Sequence, residues 1–280
     1  MKTILLPTDF SDNSWNAIEY ALDFYKDYTC SFYLLHVNRL NTFVKEDYLY
    51  TNEHTIVADN KIEQAKTQLK LILNRIAKKF PNSRKHKFYT LTENNFFLES
   101  IRQHVEEKKV DVIVMGTKGA SGLSKYIIGS NTGDVITKVK CTTLVVPENA
   151  KFKEINEVAF PTDFSLSRGL QMLQPLAEIL DRNSASLRVL NICKKTSSLN
   201  TQQKTNKELL EDYLYHYKYS LHFLTNKKVE DAVQCFVKTR NINLITMVAK
   251  NLNYFQQILF HNKVEQISYH TDIPFLVLHE

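Results

Sequence analysis

The chain has 280 residues, which is enough for one large domain or two domains of ordinary size. Hydrophobic residues make up 43% and charged residues 24%, values typical of a globular protein, so a disordered or fibrous chain is excluded. The net charge of +6 is spread along the chain, and no basic tail indicates nucleic-acid binding.

The cysteines and the chain start narrow the class of protein further. Four scattered cysteines form no CxxC motif and no His/Cys metal spacing, which favours core thiols in a reducing compartment; they are Cys30, Cys141, Cys193 and Cys235. The apolar run before Pro7 is too short for a signal peptide, and no stretch approaches a membrane span. We expect a cytoplasmic protein without a membrane or nucleic-acid partner.

In chain order, short apolar runs alternate with amphipathic stripes. Strands are predicted at residues 3–6, 32–37, 88–91, 110–115 and 142–146. Helices are predicted after each of the first four strands, the fourth at about 131–139. The polar segment 38–59 has no clear period and is interpreted as a loop or a lid. This alternation predicts a parallel sheet with helices on both faces.

Two stretches stand out at the ends of predicted strands. The first is Pro7-Thr8-Asp9-Phe10-Ser11, which ends the first strand and caps a helix. The second is a glycine cluster: five of the six glycines lie in the 18 residues from 116 to 133. Glycine permits positive φ and a close approach of the backbone to a ligand. Free N–H groups at the start of the following helix would favour an anion.

The spacing Gly116-x2-Gly119-x9-Gly129-Ser130 matches neither the dinucleotide motif nor the P-loop. Spacing alone fits a glycine-rich turn without a ligand equally well. The longer phrase MGTKGASGLSKYIIGSNTGDVI, followed by TTLVVP, resembles the nucleotide loop of the universal stress protein family, in the branch that binds ATP. In that family the strand order is 3-2-1-4-5, so the resemblance implies that the turn with Asp9 and the glycine loop face one crevice.

The resemblance also implies roles for individual residues. Backbone N–H groups of the loop would hold the phosphates, Asp9 would accept a hydrogen bond from adenine or ribose, and the Val37 backbone would contact adenine. For Asp9 a plain turn or capping carboxylate is the alternative, and for Ser130 a plain N-cap. For Lys118 the alternative is a solvent-exposed loop charge that helps only electrostatically. The full set of expected ligand-binding residues is Pro7, Thr8, Asp9, Val37, Met115, Gly116, Lys118, Gly119, Gly129, Ser130 and Asn131.

The second half of the chain repeats the first. Pro161-Thr162-Asp163-Phe164-Ser165 repeats residues 7–11 at an offset of 161 − 7 = 154, and two later strands recur at an offset of 132. We therefore predict two tandem domains, 1–148 and 155–280, each a doubly wound parallel five-stranded α/β sheet. The family resemblance implies that these sheets are of the adenine nucleotide alpha hydrolase-like type. The family resemblance further implies that Thr142–Val146 pairs with Phe275–Leu278, giving a pseudo-dimer within one chain.

The second copy has lost the loop glycines. At the offset of 132, Gly116 corresponds to Val248, Gly119 to Asn251 and Gly129 to His261. A β-branched residue disfavours positive φ, so we predict that only the first domain holds nucleotide.

The leading functional hypothesis is an ATP-binding stress-response regulator, with ATP alone or with Mg²⁺, that is not an enzyme. No Ser/His/Asp set, paired carboxylates or metal cluster is evident in the sequence. The rival hypotheses are a slow ATP hydrolase or nucleotidyl transferase, and a nucleotide-free interaction scaffold. A homodimer through another surface is compatible with each of them.

Overall fold

The computed structural model describes residues 1–38, 52–81, 84–117, 129–165, 169–193, 199–225, 229–249 and 272–279. Its strands are β1 Lys2–Pro7, β2 Cys30–Asn38, β3 His86–Asn94, β4 Val112–Gly116, β5 Thr142–Val146, β6 Glu157–Pro161, β7 Ser186–Cys193, β8 Tyr219–Thr225, β9 Leu244–Val248 and β10 Phe275–Leu278. Its α-helices are α1 Asp12–Phe24, α2 Asn52–Lys79, α3 Phe97–Glu107, α4 Ser130–Lys138, α5 Gln174–Asn183, α6 Thr201–Leu214 and α7 Val229–Thr239, with a 3-10 turn at Gln171–Leu173 before α5.

The strands form one sheet of ten, in the order β3-β2-β1-β4-β5-β10-β9-β6-β7-β8. The first five strands follow the predicted order 3-2-1-4-5, and the last five repeat that order from the opposite edge. The α/β fold class is confirmed. The two five-stranded halves, however, are continuous in one sheet, because β5 and β10 pair antiparallel with Leu144 opposite Leu276. The expected contact between these two strands is therefore present.

Local sequence explains the elements that frame the first half. The central strand β1 is buried on both faces, with Ile4, Leu5 and Leu6 all fully buried, as expected for a parallel sheet covered by helices. Ser11 caps α1, its side-chain oxygen accepting from the Ser14 N–H at 3.2 Å. The helix then lays an apolar face with Ile18 on the sheet.

The interpretation of 38–59 as a loop or lid is wrong for residues 52–59, because α2 already begins at Asn52. Helix formation is cooperative, so the strongly amphipathic stretch further along α2 supports a first part that lacks clear periodicity. Residues 39–51 of that segment lie outside the described residues.

The two halves also contact each other beside the sheet. The Asn16 amide donates to the Pro147 and Ala150 carbonyls, both at 3.1 Å, and so holds the linker on α1. Lys2 forms an ion pair with Glu178 at 2.7 Å. One hydrophobic cluster contains buried residues of both halves. The core on this face of the sheet therefore continues across the junction of β5 and β10, which we call the seam.

Candidate functional site

The carboxyl ends of β1 and β4 lie side by side, and we call the space beyond them the crevice. β1 pairs in parallel with β2 on one side and with β4 on the other. The chain continues toward one edge of the sheet after β1 and toward the seam after β4, so the strand order reverses between them. Open parallel sheets bind ligands beyond the carboxyl ends of the strands at such a reversal. The turn after Pro7 and the segment after Gly116 meet there.

The turn after β1 is held by its own side chains. The Thr8 hydroxyl accepts from the Phe10 N–H at 3.1 Å and lies 3.0 Å from the Ser14 hydroxyl. Asp9 Oδ1 accepts from the N–H and the hydroxyl of Ser11, at 3.1 and 2.6 Å. Phe10 adopts a left-handed φ of 65°, a conformation that needs such support. Asp9 is therefore a turn carboxylate, exposed at the crevice.

The second half builds the same turn after β6. Thr162 Oγ1 accepts from the Phe164 N–H at 3.0 Å, and Asp163 Oδ1 accepts from the Ser165 N–H at 2.9 Å. Phe164 has a φ of 61°. Because both copies show one geometry, the repeated motif is explained by turn formation and does not by itself mark a ligand site.

The end of β2 supplies backbone groups to the crevice of the first half. The Leu35 carbonyl accepts from the Thr8 N–H at 2.9 Å, one residue beyond the last ladder pair of β1. Backbone groups two residues apart on a strand point to the same side. The N–H and carbonyl of Val37 consequently point past the end of β1, which suits a residue expected to contact a ligand through its backbone.

An aromatic pair, His36 and Phe10, lies beside Val37. His36 Nδ1 donates to the Thr8 carbonyl at 2.8 Å, and its ring stacks on Phe10 with centroids 4.2 Å apart. The second half places Asn191 at the matching position, where its amide donates to the Thr162 carbonyl at 3.0 Å. A hydrogen-bond donor in this position of both copies is the signal by which the pair could have been found.

Two of the expected pocket residues lie in packed positions. Pro7 is buried at the last ladder pair of β1. Met115 is only 6% exposed and packs in a cluster with Leu5 and Leu35. Both lie beneath the crevice, so their part in a site is to shape its floor.

Gly116 lies in close contact with α1, where a side chain would be crowded. A Cβ on this residue would come within 3.1 Å of Asn13 Oδ1 and 3.2 Å of the Asn13 carbonyl oxygen, on α1. The Gly116 carbonyl also accepts from the Thr132 hydroxyl at 2.8 Å, which ties the first turn of α4 to the end of β4. The sequence analysis missed Thr132, although a threonine in the first turn of a predicted helix is a signal for such a tie.

The segment between β4 and α4 closes at its neck. The Gly129 N–H donates to the Thr117 carbonyl at 2.5 Å, and the Thr117 N–H donates to the Val146 carbonyl at 3.2 Å. Both ends of the glycine segment are thus fixed at the crevice. Lys118 and Gly119, expected to contact phosphates, lie outside the described residues, as do all residues from 118 to 128.

Positive φ does not explain the glycines of the cluster that the structure describes. Gly129 has a φ of −66°, and in the described part of the chain Gly169 is the glycine with a positive φ. Gly129 matters because it is the N-cap of α4 and has no side chain with which to cap the helix. The N–H groups at Ser130 and Asn131 therefore lie at a helix start that has no side-chain cap and no acidic residue in its first turn.

The second half covers the corresponding region with a helix. α6 begins with a capping box in which Asn200 and Gln203 satisfy each other's backbone N–H groups. The Gln203 side chain then donates to the Asp163 carbonyl at 2.8 Å, and Asn206 donates to the Phe164 carbonyl at 2.7 Å. These two hydrogen bonds, which we call the latch, tie the turn after β6 to α6. Phe164 is fully buried, whereas Phe10 is only partly buried.

The described residues contain neither a cluster of metal-binding side chains nor a helix that could span a membrane. Over these ranges no group of three or more His, Cys, Asp or Glu side chains could hold a metal ion. In the same part of the chain no helix is both long enough and apolar enough to cross a membrane.

Comparison with known proteins identifies relatives of the first half. The profile of the universal stress protein family matches residues 1–147. A universal stress protein of Methanocaldococcus jannaschii is 29% identical over 150 residues, which make up 54% of this chain and 84% of the relative. The universal stress protein YxiE of Bacillus subtilis is 30% identical over 146 residues, 51% of this chain and 97% of the relative.

Solved structures match over both halves. A universal stress protein from Archaeoglobus fulgidus superposes with a TM-score of 0.66 at 17% identity, covering 99% of this chain and 96% of that one. A universal stress protein from Pseudomonas aeruginosa, described as putative, superposes with a TM-score of 0.57 at 13% identity, covering 100% and 93%. At these identities the likeness shows the fold alone. Since the family profile covers more than half of the chain, this protein belongs to the universal stress protein family.

Proposed function

We propose that this protein is a nucleotide-responsive regulator that binds ATP in the crevice of its first half. The observation that carries the proposal is the open N-terminus of α4, whose neck at Thr117 and Gly129 fixes its N–H groups beside the strand-order reversal. A helix start without a side-chain cap and without an acidic residue in its first turn favours a phosphate group.

The surrounding residues take complementary parts in this proposal. The N–H groups at Ser130 and Asn131, together with Lys118 and Gly119 of the loop, hold the phosphates. Exposed Asp9 accepts from adenine or ribose, since a carboxylate oxygen that already accepts within a turn retains further lone-pair capacity. The Val37 backbone contacts the base, and Pro7, Thr8, Met115 and Gly116 form the floor. ATP enters alone or with Mg²⁺, which would be coordinated mainly by phosphate oxygens and water.

The second half is proposed to bind no nucleotide in this manner. Val248 stands where the first half has Gly116, and the latch from α6 occupies the carbonyls of the turn after β6. The two halves then act as a pseudo-dimer joined through β5 and β10, with one nucleotide site per chain. Assembly of two chains into a homodimer is a further expectation of this arrangement.

Regulation is favoured over catalysis because of how Asp9 is held. Hydrolysis of ATP needs a base or a positioned water, usually with a metal ligand. Asp9 Oδ1 accepts hydrogen bonds from the N–H and the hydroxyl of Ser11, so this oxygen serves the turn. We therefore expect saturable ATP binding without appreciable turnover.

The test is a calorimetric titration of ATP and Mg²⁺ into the full-length protein, with a parallel titration of GTP. We expect one site per chain, weaker binding of GTP, and loss of the site in Gly119→Val. Two sites would overturn the argument about the second half. No binding would favour a nucleotide-free scaffold, and turnover abolished by Asp9→Ala would favour an enzyme.

A further inference from the structure

A chain of polar side chains crosses the amino ends of β6, β7 and β8 in the second half of the sheet. Glu157 on β6 accepts two hydrogen bonds from Arg188 on β7, at 2.7 and 2.8 Å. Arg188 Nη1 donates to the Ser220 hydroxyl on β8 at 2.9 Å, and Ser220 Oγ lies 2.8 Å from His222 Nε2. We call these four residues the Ser220 relay.

The relay has no counterpart in the first half, although the strand registers correspond. Arg188 pairs with Ser220 as Tyr33 pairs with Tyr89. Those two tyrosines stack with centroids 4.8 Å apart, an apolar contact that suffices to hold the edge strand. Replacing an aromatic pair by a half-buried charged chain requires every polar group to be satisfied, so packing alone does not account for it.

The directions of the hydrogen bonds are constrained. A guanidinium only donates, so Ser220 Oγ accepts from Arg188. The arrangement that gives each proton an acceptor then has the Ser220 hydroxyl donating to an unprotonated His222 Nε2. Burial, together with Arg240 and Arg188, lowers the pKa of His222 below its ordinary value, which keeps the imidazole neutral and able to accept a proton.

From this geometry we propose that Ser220 is a nucleophile for acyl transfer from small activated carboxylic esters. A neutral imidazole within hydrogen-bond reach is the usual activator of a serine, and a neighbouring guanidinium stabilises the developing negative charge. Arg188 has five N–H donors, of which three are used in the hydrogen bonds given above, and its side chain is 25% exposed. Ser220 and His222 are also only partly buried, so a small ester can reach them.

The step is balanced without another reactant. Ser220 Oγ attacks the ester carbonyl carbon and forms the new C–O bond, while the bond to the leaving alkoxide or phenolate breaks. The hydroxyl proton passes to His222 Nε2 and from there to the leaving group or to water. Water later hydrolyses the acyl-serine to the free acid and restores the hydroxyl.

The experiment treats the full-length protein with p-nitrophenyl acetate and follows acetylation of each residue by peptide mass spectrometry. Ser184, an exposed serine at the end of α5, is the internal control. We expect Ser220 to be acetylated at least about tenfold faster than Ser184, with that advantage lost in His222→Ala and partly restored by added imidazole, since positioned proton transfer contributes roughly 100-fold or more.

Acetylation of Ser220 no faster than that of Ser184, or equally fast in His222→Ala, would overturn the proposal. Circular dichroism and the ATP titration serve as checks on the variant. Both should be unchanged, because the relay lies on β6, β7 and β8 of the second half, whereas the proposed nucleotide crevice lies at β1 and β4 of the first half. The proposal therefore stands or falls independently of the proposed nucleotide site.

Discussion

The two halves of this chain share a fold and the turn that ends their first strand. They differ in the polar contacts that surround that turn. In the first half, Gly129 leaves the start of α4 without a cap at the crevice. In the second half, α6 caps itself and then donates two side-chain amides to the turn. The repeated turn therefore does not distinguish the two halves, whereas the polar groups that lie beside it do.

The largest expected effect concerns the seam that makes the two halves one sheet. Phe275 on β10 is fully buried and pairs with Val145 of β5. Phe275→Ala should lower the free energy of unfolding by about 3–5 kcal/mol, because it removes a large side chain from a packed core. Phe223→Ala, at a residue 56% exposed on the edge strand β8, is the control and should cost far less.

Denaturant unfolding followed by fluorescence and by ATP binding would compare the halves directly. If the seam couples them, Phe275→Ala shifts both transitions together. A first half that keeps its transition and its ATP binding while the second half unfolds would break the description of one continuous core.

The next comparison is between Gly116 and its counterpart Val248. Gly116→Val should destabilise the protein by about 1–3 kcal/mol, since the added Cβ meets Asn13 at 3.1 Å and the backbone of α1 has to shift. Gly169→Ala is a matched control, because its strain would come from a φ of 86° and not from a lack of space. Thermal melting of both variants measures the difference, and a melting temperature unchanged in Gly116→Val would contradict close packing of α1 on β4.

A histidine that follows β10 should also make the free energy of unfolding depend on pH. His279 stands where the first half has Pro147, and burial together with Lys140 lowers its pKa from the ordinary 6.5 to about 4. A histidine kept neutral in the fold contributes stability above pH 6.5 that is lost as the pH falls from 6.5 toward 4. The expected loss between pH 7 and pH 5 is about 2 kcal/mol.

Chemical denaturation at the two pH values tests this contribution. His279→Gln should reduce the pH-dependent loss, with the parent chain at the same two pH values as the reference. An identical pH dependence in the two proteins would assign the acid sensitivity to other groups.

A smaller effect is expected at the latch of the second half. Asn206→Ala removes a buried donor to the Phe164 carbonyl and should cost about 1–3 kcal/mol in stability. Lys204, exposed on the same helix and replaced by alanine, is the control. Calorimetry on Asn206→Ala should still find one ATP site, because opening the latch does not restore the missing glycine positions. A second site would show that the latch alone closes the second crevice.

The smallest change is a single added charge at the start of α4. Ser130→Asp should weaken ATP binding roughly tenfold or more, because a carboxylate there repels phosphate, while it leaves the helix as stable as before. Thr201→Asp places the same charge at the exposed start of α6 and should leave binding unchanged. Titration of both variants with ATP at one ionic strength gives the comparison. Equal affinities would indicate that the phosphates do not bind at the start of α4.

The sequence by itself determined the alternating elements, the repeat and the loss of glycines from the second half. Hydrophobic periodicity and glycine placement are local properties, and they are visible in the sequence without the structure. Residues 52–59 were misjudged because a helix can extend through a weakly periodic stretch once its amphipathic part is docked.

Only the tertiary structure decided what those features do. Contacts across long separations make Gly116 a packing glycine against Asn13, and they bring Gln203 and Asn206 over the turn that contains Asp163. The same holds for the antiparallel joining of β5 and β10 and for the alignment of Arg188, Ser220 and His222 on neighbouring strands. The physical reason is that hydrogen-bond satisfaction and close packing depend on which residues become neighbours in space, and spacing along a chain does not specify those neighbours.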